Sequence, residues 1–193
     1  MCDTLYITLT TGVYFCAQTI TFYVIKSNVF CCWSVTLGVM KYLIIENVRS
    51  AYNVGAMFRT ADGAGVTKIF LVGYTPTPID RFGRVQSEIS KTSLGASETI
   101  AWESADTSVA VIAKLQSEGF IAVAIEQSPT AISLKDFVVP EQVVYIMGSE
   151  VTGVTAETLD AVDQVVDIPM LGAKESLNVS VAAGIVMYHG LVK

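Results

Sequence analysis

Histidine occurs once in this sequence, at His189, and cysteine stops at residue 32: Cys2, Cys16, Cys31 and Cys32 are the only four, none in a CxxC pair. These scarcities argue against a zinc site, a disulfide framework, and Ser-His or Cys-His nucleophilic machinery, because each needs imidazoles or thiols that are missing. With no thiol beyond residue 32, a reducing cytoplasmic setting is the expectation. No GxxxxGK[ST] occurs, which excludes a P-loop. "GAGVTK" at 63–68 begins like a dinucleotide fingerprint, but Lys68 stands where the third glycine belongs, and the stretch precedes a strand instead of following one.

Arginine is also confined. Arg49, Arg59, Arg81 and Arg84 are the whole set, and with Lys41, Lys68 and Lys91 they give residues 41–91 seven bases against four acids, while 92–193 carry four bases against thirteen. The net charge of −6 argues against indiscriminate nucleic-acid binding, yet the asymmetry predicts a locally basic face on an acidic body. At 193 residues, about half of them apolar, the chain suits one domain with a substantial core.

Residues 1–39 differ from the rest: Asp3 and Lys26 are their only charges, and the composition changes sharply at Met40. Three readings stand. Residues 4–25 are an uncharged run long enough for a bilayer, weakened by threonines and by the missing basic n-region of a signal peptide. A pair of added strands follows from β-propensity, with an aggregation hazard if they stay unpaired. The third reading makes 1–39 a start-site artefact upstream of a working domain at 40–193. No membrane partner is expected.

From Met40 onward the organisation is regular. "KYLIIENV" at 41–48 and "TKIFLVG" at 67–73 read as buried strands. Between them Val54, Met57, Phe58 and Ala61 recur at helical spacing, with Asn53 as the expected cap and Gly63 and Gly65 as stops. That is a β-α-β unit, which requires parallel pairing. Apolar runs "TIAWE", "GFIAVAIE", "VVYIMGS" and "QVVDIPM" follow, alternating with helical stretches near 105–117, 155–161 and 176–192. The prediction is an α/β fold with a parallel sheet and flanking helices. Residues 75–97 read as one long polar connection, of the kind that often carries function.

Three polar constellations fall at the ends of predicted strands: "ENVRSAYNVGAMFRTADGAG" at 46–65, "IMGSEVTG" at 146–153 and "IPMLGAKESLNVSVAAG" at 168–184. A parallel sheet places its sites there. In the last, Ser176 is expected to cap a helix whose Leu177, Val181, Ile185 and Tyr188 face the core, which turns free N–H groups and the positive dipole end toward the strand ends. Taken singly, each has an ordinary explanation: a helix cap at Ser176 with Asn178 in a solvated first turn, a turn carboxylate at Glu150, a solvated arginine at Arg59.

In this order and spacing the three resemble the SPOUT superfamily of RNA methyltransferases, in particular its TrmH-like (SpoU) branch of ribose 2′-O-methyltransferases. The likeness covers 40–193 and extends to "SKTSLGASETIAWE" at 90–103; Ser149 stands where Asn is more usual, and Val151 where Gly or Arg is. The resemblance implies an α/β-knot, a deep trefoil knot near the C-terminus, with S-adenosylmethionine bound in the knotted turns and no metal. It implies a homodimer with the C-terminal helix as a contact, and an RNA substrate, tRNA or rRNA. Cofactor-binding roles then fall to Gly148, Ile168, Met170, Gly172 and Leu177. Catalytic roles fall to Asn53, Arg59, Glu150, Ser176 and Asn178, and RNA contacts to Arg49, Arg81 and Arg84. Tyr52, Tyr74 and Phe82 are candidates to stack on unpaired bases, while Phe58 is expected in the core.

The same resemblance assigns Arg59 to deprotonation of the ribose hydroxyl. Guanidinium stays protonated and has no acceptor site, so Arg59 reads better as an anchor for the neighbouring phosphate and for developing alkoxide charge. The others then orient the reacting oxygen. Two rival expectations remain: an RNA-binding module that keeps the fold without catalysis, and a small-molecule α/β enzyme, for which no fingerprint exists.

Overall fold

A computed structural model describes residues 39–191 and, as backbone strands, Phe15–Cys16 (β1), Thr19–Lys26 (β2) and Val29–Thr36 (β3). The chain divides into two compact units, Met1–Gly38 and Val39–Lys193. In the first unit the three strands form an antiparallel sheet in the order β1-β2-β3. Of the stretch 4–25 read above as bilayer-length, residues 4–14, 17 and 18 lie outside the described residues.

The second unit is built on β4 (Met40–Glu46), β5 (Val66–Val72), β6 (Ala101–Ala105), β7 (Ile121–Ile125), β8 (Ile132–Ser133), β9 (Gln142–Met147) and β10 (Gln164–Asp167). They form one seven-stranded sheet, ordered β6-β5-β4-β9-β7-β10-β8, and every pairing is parallel. Parallel strands covered on both faces need apolar residues on both. Leu43, Ile44 and Ile45 on β4 and Val143 to Ile146 on β9 are fully buried for that reason. One layer joins Met57, Phe58, Ile89 and Val186 over the sheet, and the other joins Phe70, Ile112, Leu115 and Phe120 beneath it. Each such side chain contributes roughly 1.5–3 kcal/mol by leaving water.

Helix α1 (Ala51–Gly63) buries Val54, Met57, Phe58 and Ala61 as its spacing predicts. Its cap is a correction. Ser50, not Asn53, is the N-cap, and its hydroxyl accepts from the Asn53 N–H at 3.3 Å. The short serine side chain reaches back to the helix end, which leaves the Asn53 amide free for other partners.

The stretch at 75–97 is not the single connection expected. It holds an isolated bridge between Ile79 and Val85, helix α2 (Ser87–Ser93) and the start of α3 (Ala96–Thr99). Ile89, fully buried, is the apolar anchor that fixes α2 against α1, and one such residue in seven is too sparse to show a period. The approach is close enough that a Cβ on Gly55 would collide with the Thr92 hydroxyl and lie 2.7 Å from the Ile89 carbonyl oxygen.

Helices α4 (Ser108–Ser117) and α5 (Ala156–Ala161) flank the other side. Glu46, 3% exposed at the end of β4, ties both down: it accepts from the Ser108 hydroxyl at 2.9 Å, the Thr155 N–H at 3.1 Å and the Thr158 hydroxyl at 2.7 Å. A carboxylate beside helix N-termini is favoured by their dipoles.

The last helix, α6 (Val179–Tyr188), starts later than expected, and its cap is Asn178, not Ser176. Its phase is also different. Val179, Ala183, Val186 and Met187 are buried, whereas Leu177, Val181, Ile185 and Tyr188 are 37–50% exposed. "VSVAAGIVMY" is apolar on nearly every side, so periodicity could not choose between faces. Lys41, counted above with the basic face, is buried and donates to the Met187 carbonyl at 2.8 Å; burial lowers its pKa.

Candidate active site

The carboxyl ends of β4, β7, β9 and β10 lie side by side, and the polar constellations emerge there. After Glu46 the chain turns through Asn47, whose left-handed φ of 55° an asparagine tolerates. The Asn47 N–H donates to the Val72 carbonyl at 3.2 Å and its Oδ1 accepts from the Tyr74 N–H at 3.4 Å. Thr75 adds a second tie, donating to the Ile45 carbonyl at 2.9 Å and accepting from the Val48 N–H at 3.2 Å. The turn that delivers Arg49, Ser50 and α1 is thereby fixed to β5.

At the end of β9, Ser149 and Gly153 exchange backbone bonds of 3.0 and 2.9 Å, closing a tight loop over Glu150, Val151 and Thr152. Glycine is required at both ends. A Cβ on Gly148 would overlap the Gly153 and Val154 backbone, and Gly153 has φ +70° with the Glu126 carboxylate where its Cβ would sit. Glu126 accepts from the Val154 N–H at 2.9 Å and so pins this loop to the end of β7.

Hydrogen bonds join the three segments. Asn178 Nδ2 donates to Asn53 Oδ1 at 3.2 Å, and Asn53 Nδ2 donates to Glu150 Oε1 at 3.1 Å. Glu150 Oε2 accepts from the Arg49 N–H at 3.4 Å. Asn178 Oδ1 meanwhile accepts from the Ser180 N–H at 2.8 Å and its hydroxyl at 2.6 Å, which holds the Asn178 amide in place. Burial alone would raise the Glu150 pKa, but its own backbone N–H, the Asn53 amide and the N–H groups of Arg49 and Ser50 hold it below the ordinary carboxylate value. Glu150 is therefore an ionised acceptor and a weak base.

Beside this network runs a cleft of about 380 Å³, lined by Gly148, Glu150, Ile168, Met170, Ser176 and Leu177 among others. Of the residues expected to hold a cofactor, Gly172 alone does not line it; Gly172 sits on the exposed stretch 171–178. Ile125, Glu126 and Gln127, which the sequence reading passed over, form another wall. Their signal was position: Ile125 and Glu126 end the run "GFIAVAIE" and Gln127 follows it, at the end of the strand that pairs with β9. Gln127 Nε2 also donates to the Glu175 carbonyl at 2.6 Å, linking the β7 end to the last polar segment.

Arg59 is not in this cleft. It lies on another face of α1, in grooves of about 620 Å³ and 500 Å³, with Lys91, Leu94 and Tyr188 in the first and Asp62 and Glu98 in the second. Arg49 is exposed at the cleft's rim with its guanidinium 5.7 Å from the Tyr74 ring centre. Arg81 and Arg84 stand on the 79–85 hairpin. Among the described residues no group of three or more His, Cys, Asp or Glu could hold a metal ion, and no helix is long and apolar enough to cross a membrane.

A cleft at the carboxyl ends of central parallel strands, walled by glycine turns and apolar side chains, defines an α/β domain with its candidate site where open parallel sheets take their ligands. Comparison with known proteins narrows the class. The SpoU rRNA Methylase family model matches residues 40–188, and the chain belongs to that family. The 23S rRNA (guanosine-2′-O-)-methyltransferase RlmB of Neisseria meningitidis is 30% identical over 145 residues, 75% of this chain and 55% of that protein. The tRNA (guanosine(18)-2′-O)-methyltransferase of Escherichia coli is 31% identical over 145 residues, 75% of this chain and 60% of that one. An AdoMet-bound rRNA methyltransferase from Sinorhizobium meliloti shares the fold with a TM-score of 0.69 and 27% identity, over 78% of this chain and 55% of that one. The chain thus spans little more than half the length of these relatives.

Proposed function

We propose that this chain is an S-adenosylmethionine-dependent methyltransferase that acts on a ribose 2′-hydroxyl of tRNA or rRNA. The observation that carries the reading is the chain of bonds Asn178–Asn53–Glu150, which joins residues 125 and 97 positions apart at the rim of one cleft. Family membership supplies the reaction class.

The cleft suits the cofactor. Ile168, Met170 and Leu177 offer apolar walls for an adenine, Gly148 allows close backbone approach, and the carboxylates of Glu126 and Glu150 complement a positive sulfur. When bound, the cofactor supplies a methyl group on a sulfonium whose charge disappears as the methyl leaves. The protein must then position a ribose hydroxyl and accommodate its proton. Asn53 and Asn178 present amide groups at the rim and orient the hydroxyl; Glu150 fixes Asn53. Held below the ordinary carboxylate value, Glu150 is a positioning anion, and the proton of the ribose hydroxyl leaves to water at the exposed rim. Ser176, on the cleft wall, adds a hydroxyl beside the same point.

Arg59 completes the site from a second copy of the chain. Leu177, next to the first residues of α6, lines the cleft, while Tyr188 at its other end shares the groove of Arg59. The helix is about 15 Å long, and its exposed apolar face runs between those ends through Val181 and Ile185. A two-fold axis crossing the middle of α6 buries that face against itself. It also carries the partner's Arg59 groove toward the cleft, where guanidinium anchors phosphate and developing alkoxide. The chain is threaded as the α/β-knot of its family, with 168–178 inside the knotted region, and it works in the cytoplasm as a homodimer.

Incubation with methyl-labelled cofactor and total cellular RNA tests the reading: label should enter RNA as a 2′-O-methylribose at a discrete position. Calorimetric binding of S-adenosylmethionine without any labelled RNA would favour the non-catalytic module instead.

A further inference from the structure

The hairpin between β5 and α2 is built around an exposed aromatic ring. Phe82, at its tip, is 66% exposed, and Ile79 and Val85 beside it are 47% and 67% exposed. An apolar tip of this kind costs free energy in water unless something covers it. The tip is nevertheless rigidly made. Asp80 Oδ1 accepts from the N–H groups of Phe82 and Arg84 at 2.8 and 2.9 Å, Asp80 Oδ2 accepts from Arg84 Nε at 2.9 Å, and Asp80 N–H donates back to the Arg84 carbonyl at 2.9 Å. Gly83, at φ +78°, makes the reversal that a side chain would strain. The Arg84 N–H, opposed by burial and helped by the Phe82 N–H and the Arg84 side chain, holds Asp80's pKa below its ordinary value, which favours the ionised acceptor the clamp uses.

Two guanidiniums share the ring. The central carbon of Arg81 lies 4.8 Å and that of Arg84 4.9 Å from the Phe82 centre, within the range of cation–π attraction. Between Ile79 and Val85 one carboxylate faces two guanidiniums, so the tip is cationic inside a chain of net charge −6. A second pair of the same kind, Arg49 over Tyr74, sits at the cleft's rim eight residues before Phe82. An exposed ring flanked by planar cations fits an unpaired nucleotide: a base has a flat face for the ring or a guanidinium plane, and its phosphate suits the arginine forks. A protein partner would need apolar area without two positive charges at its centre. Duplex RNA offers no free base face.

We infer that the 79–85 hairpin is a base-stacking finger for single-stranded RNA: Phe82 stacks on an unpaired base next to the modified nucleotide, and Arg81 and Arg84 hold its phosphate. The inference rests on the RNA reading above and adds the element that selects unpaired substrate. None of its residues belongs to the cleft, so it affects RNA capture and not the chemical step.

The test is fluorescence anisotropy of the full chain with a labelled single-stranded RNA oligonucleotide and with a duplex of equal length, alongside methylation kinetics. Phe82→Ala and Phe82→Leu should each weaken single-strand binding about tenfold and raise KM for RNA similarly, with kcat and calorimetric cofactor affinity unchanged. Phe82→Tyr should restore both, which a merely structural role at an exposed tip would not require. Arg81→Ala with Arg84→Ala should reduce the salt dependence of single-strand binding by about 1.4 in slope. Wild-type affinity in Phe82→Leu, or equal losses for duplex and single strand, would overturn the finger. If wild type binds RNA and Phe82→Ala does not, yet no RNA is methylated, the finger stands and the catalytic reading falls.

Discussion

The rim of the cleft and the groove around Arg59 are both polar features of helix α1, and they are finished to different degrees. At the rim, Asn53 has a partner on each side, Asn178 and Glu150, and Glu150 in turn is held by the Arg49 N–H. In the groove, Arg59 is exposed, Leu94 is 67% exposed, and Tyr188 is 40% exposed. A network satisfied within one chain is a site that the chain builds for itself. An exposed cation beside exposed apolar side chains has no such closure, and that difference is what favours the proposal that the catalytic set is divided between two copies.

The sharpest way to break that division is Arg59→Ala. Loss of a charge-stabilising donor typically costs a factor of 100 to 1,000, so turnover should fall by about that much while calorimetric affinity for S-adenosylmethionine is unchanged; retained turnover would remove Arg59 from the chemistry. Val181→Asp, placed on the α6 face where Val181 is 50% exposed, should give monomers in sedimentation and a comparable loss of turnover. The cleft responds in the opposite sense. Gly148→Ala pushes a methyl group into the Gly153–Val154 backbone. At roughly 1–3 kcal/mol for such overpacking, cofactor affinity should drop about ten- to a hundredfold, with the dimer intact.

Smaller effects sharpen the picture of the rim. Because the Glu150 pKa lies below its ordinary value of 4.5, what its ionised form contributes is complete above that pH and disappears only as pH falls through the depressed folded value. The difference in thermal midpoint between wild type and Glu150→Gln should therefore stay constant from neutrality down to about pH 5 and shrink in stronger acid. Tyr145, fully buried with no partner for its hydroxyl among the described residues, belongs to neither region. Tyr145→Phe should raise stability by about 1 kcal/mol, as removal of an unsatisfied polar group does, without altering turnover; a loss of activity would reveal a role for that hydroxyl.

The sequence displayed the strands, α1 and the convergence of polar segments because those depend on local pattern: Val54, Met57, Phe58 and Ala61 mark a face, and parallel strands end where sites form. It misjudged α6, whose uniformly apolar residues leave the buried face to be chosen by what packs against it. Caps were misassigned at Asn53 and Ser176 because several residues of capping type stand near each start, and only geometry selects Ser50 and Asn178. Glu126 escaped notice since a single carboxylate at a strand end has no motif; its role depends on the approach of Gly153. The separation of Arg59 from Asn53 follows from their spacing of six positions on one helix, which at 3.6 residues per turn leaves the two on different faces.

Subunit mixing tests the divided site most directly. Arg59→Ala and Glu150→Ala chains, each expected to be inactive alone, are combined as co-expressed heterodimers and assayed with labelled S-adenosylmethionine and substrate RNA. If Arg59 serves the partner's cleft, each heterodimer keeps one cleft with both groups intact and recovers about half of wild-type turnover. If mixing restores nothing while both variants still dimerise and bind cofactor, Arg59 does not act across the two-fold axis, and the account of the site is wrong.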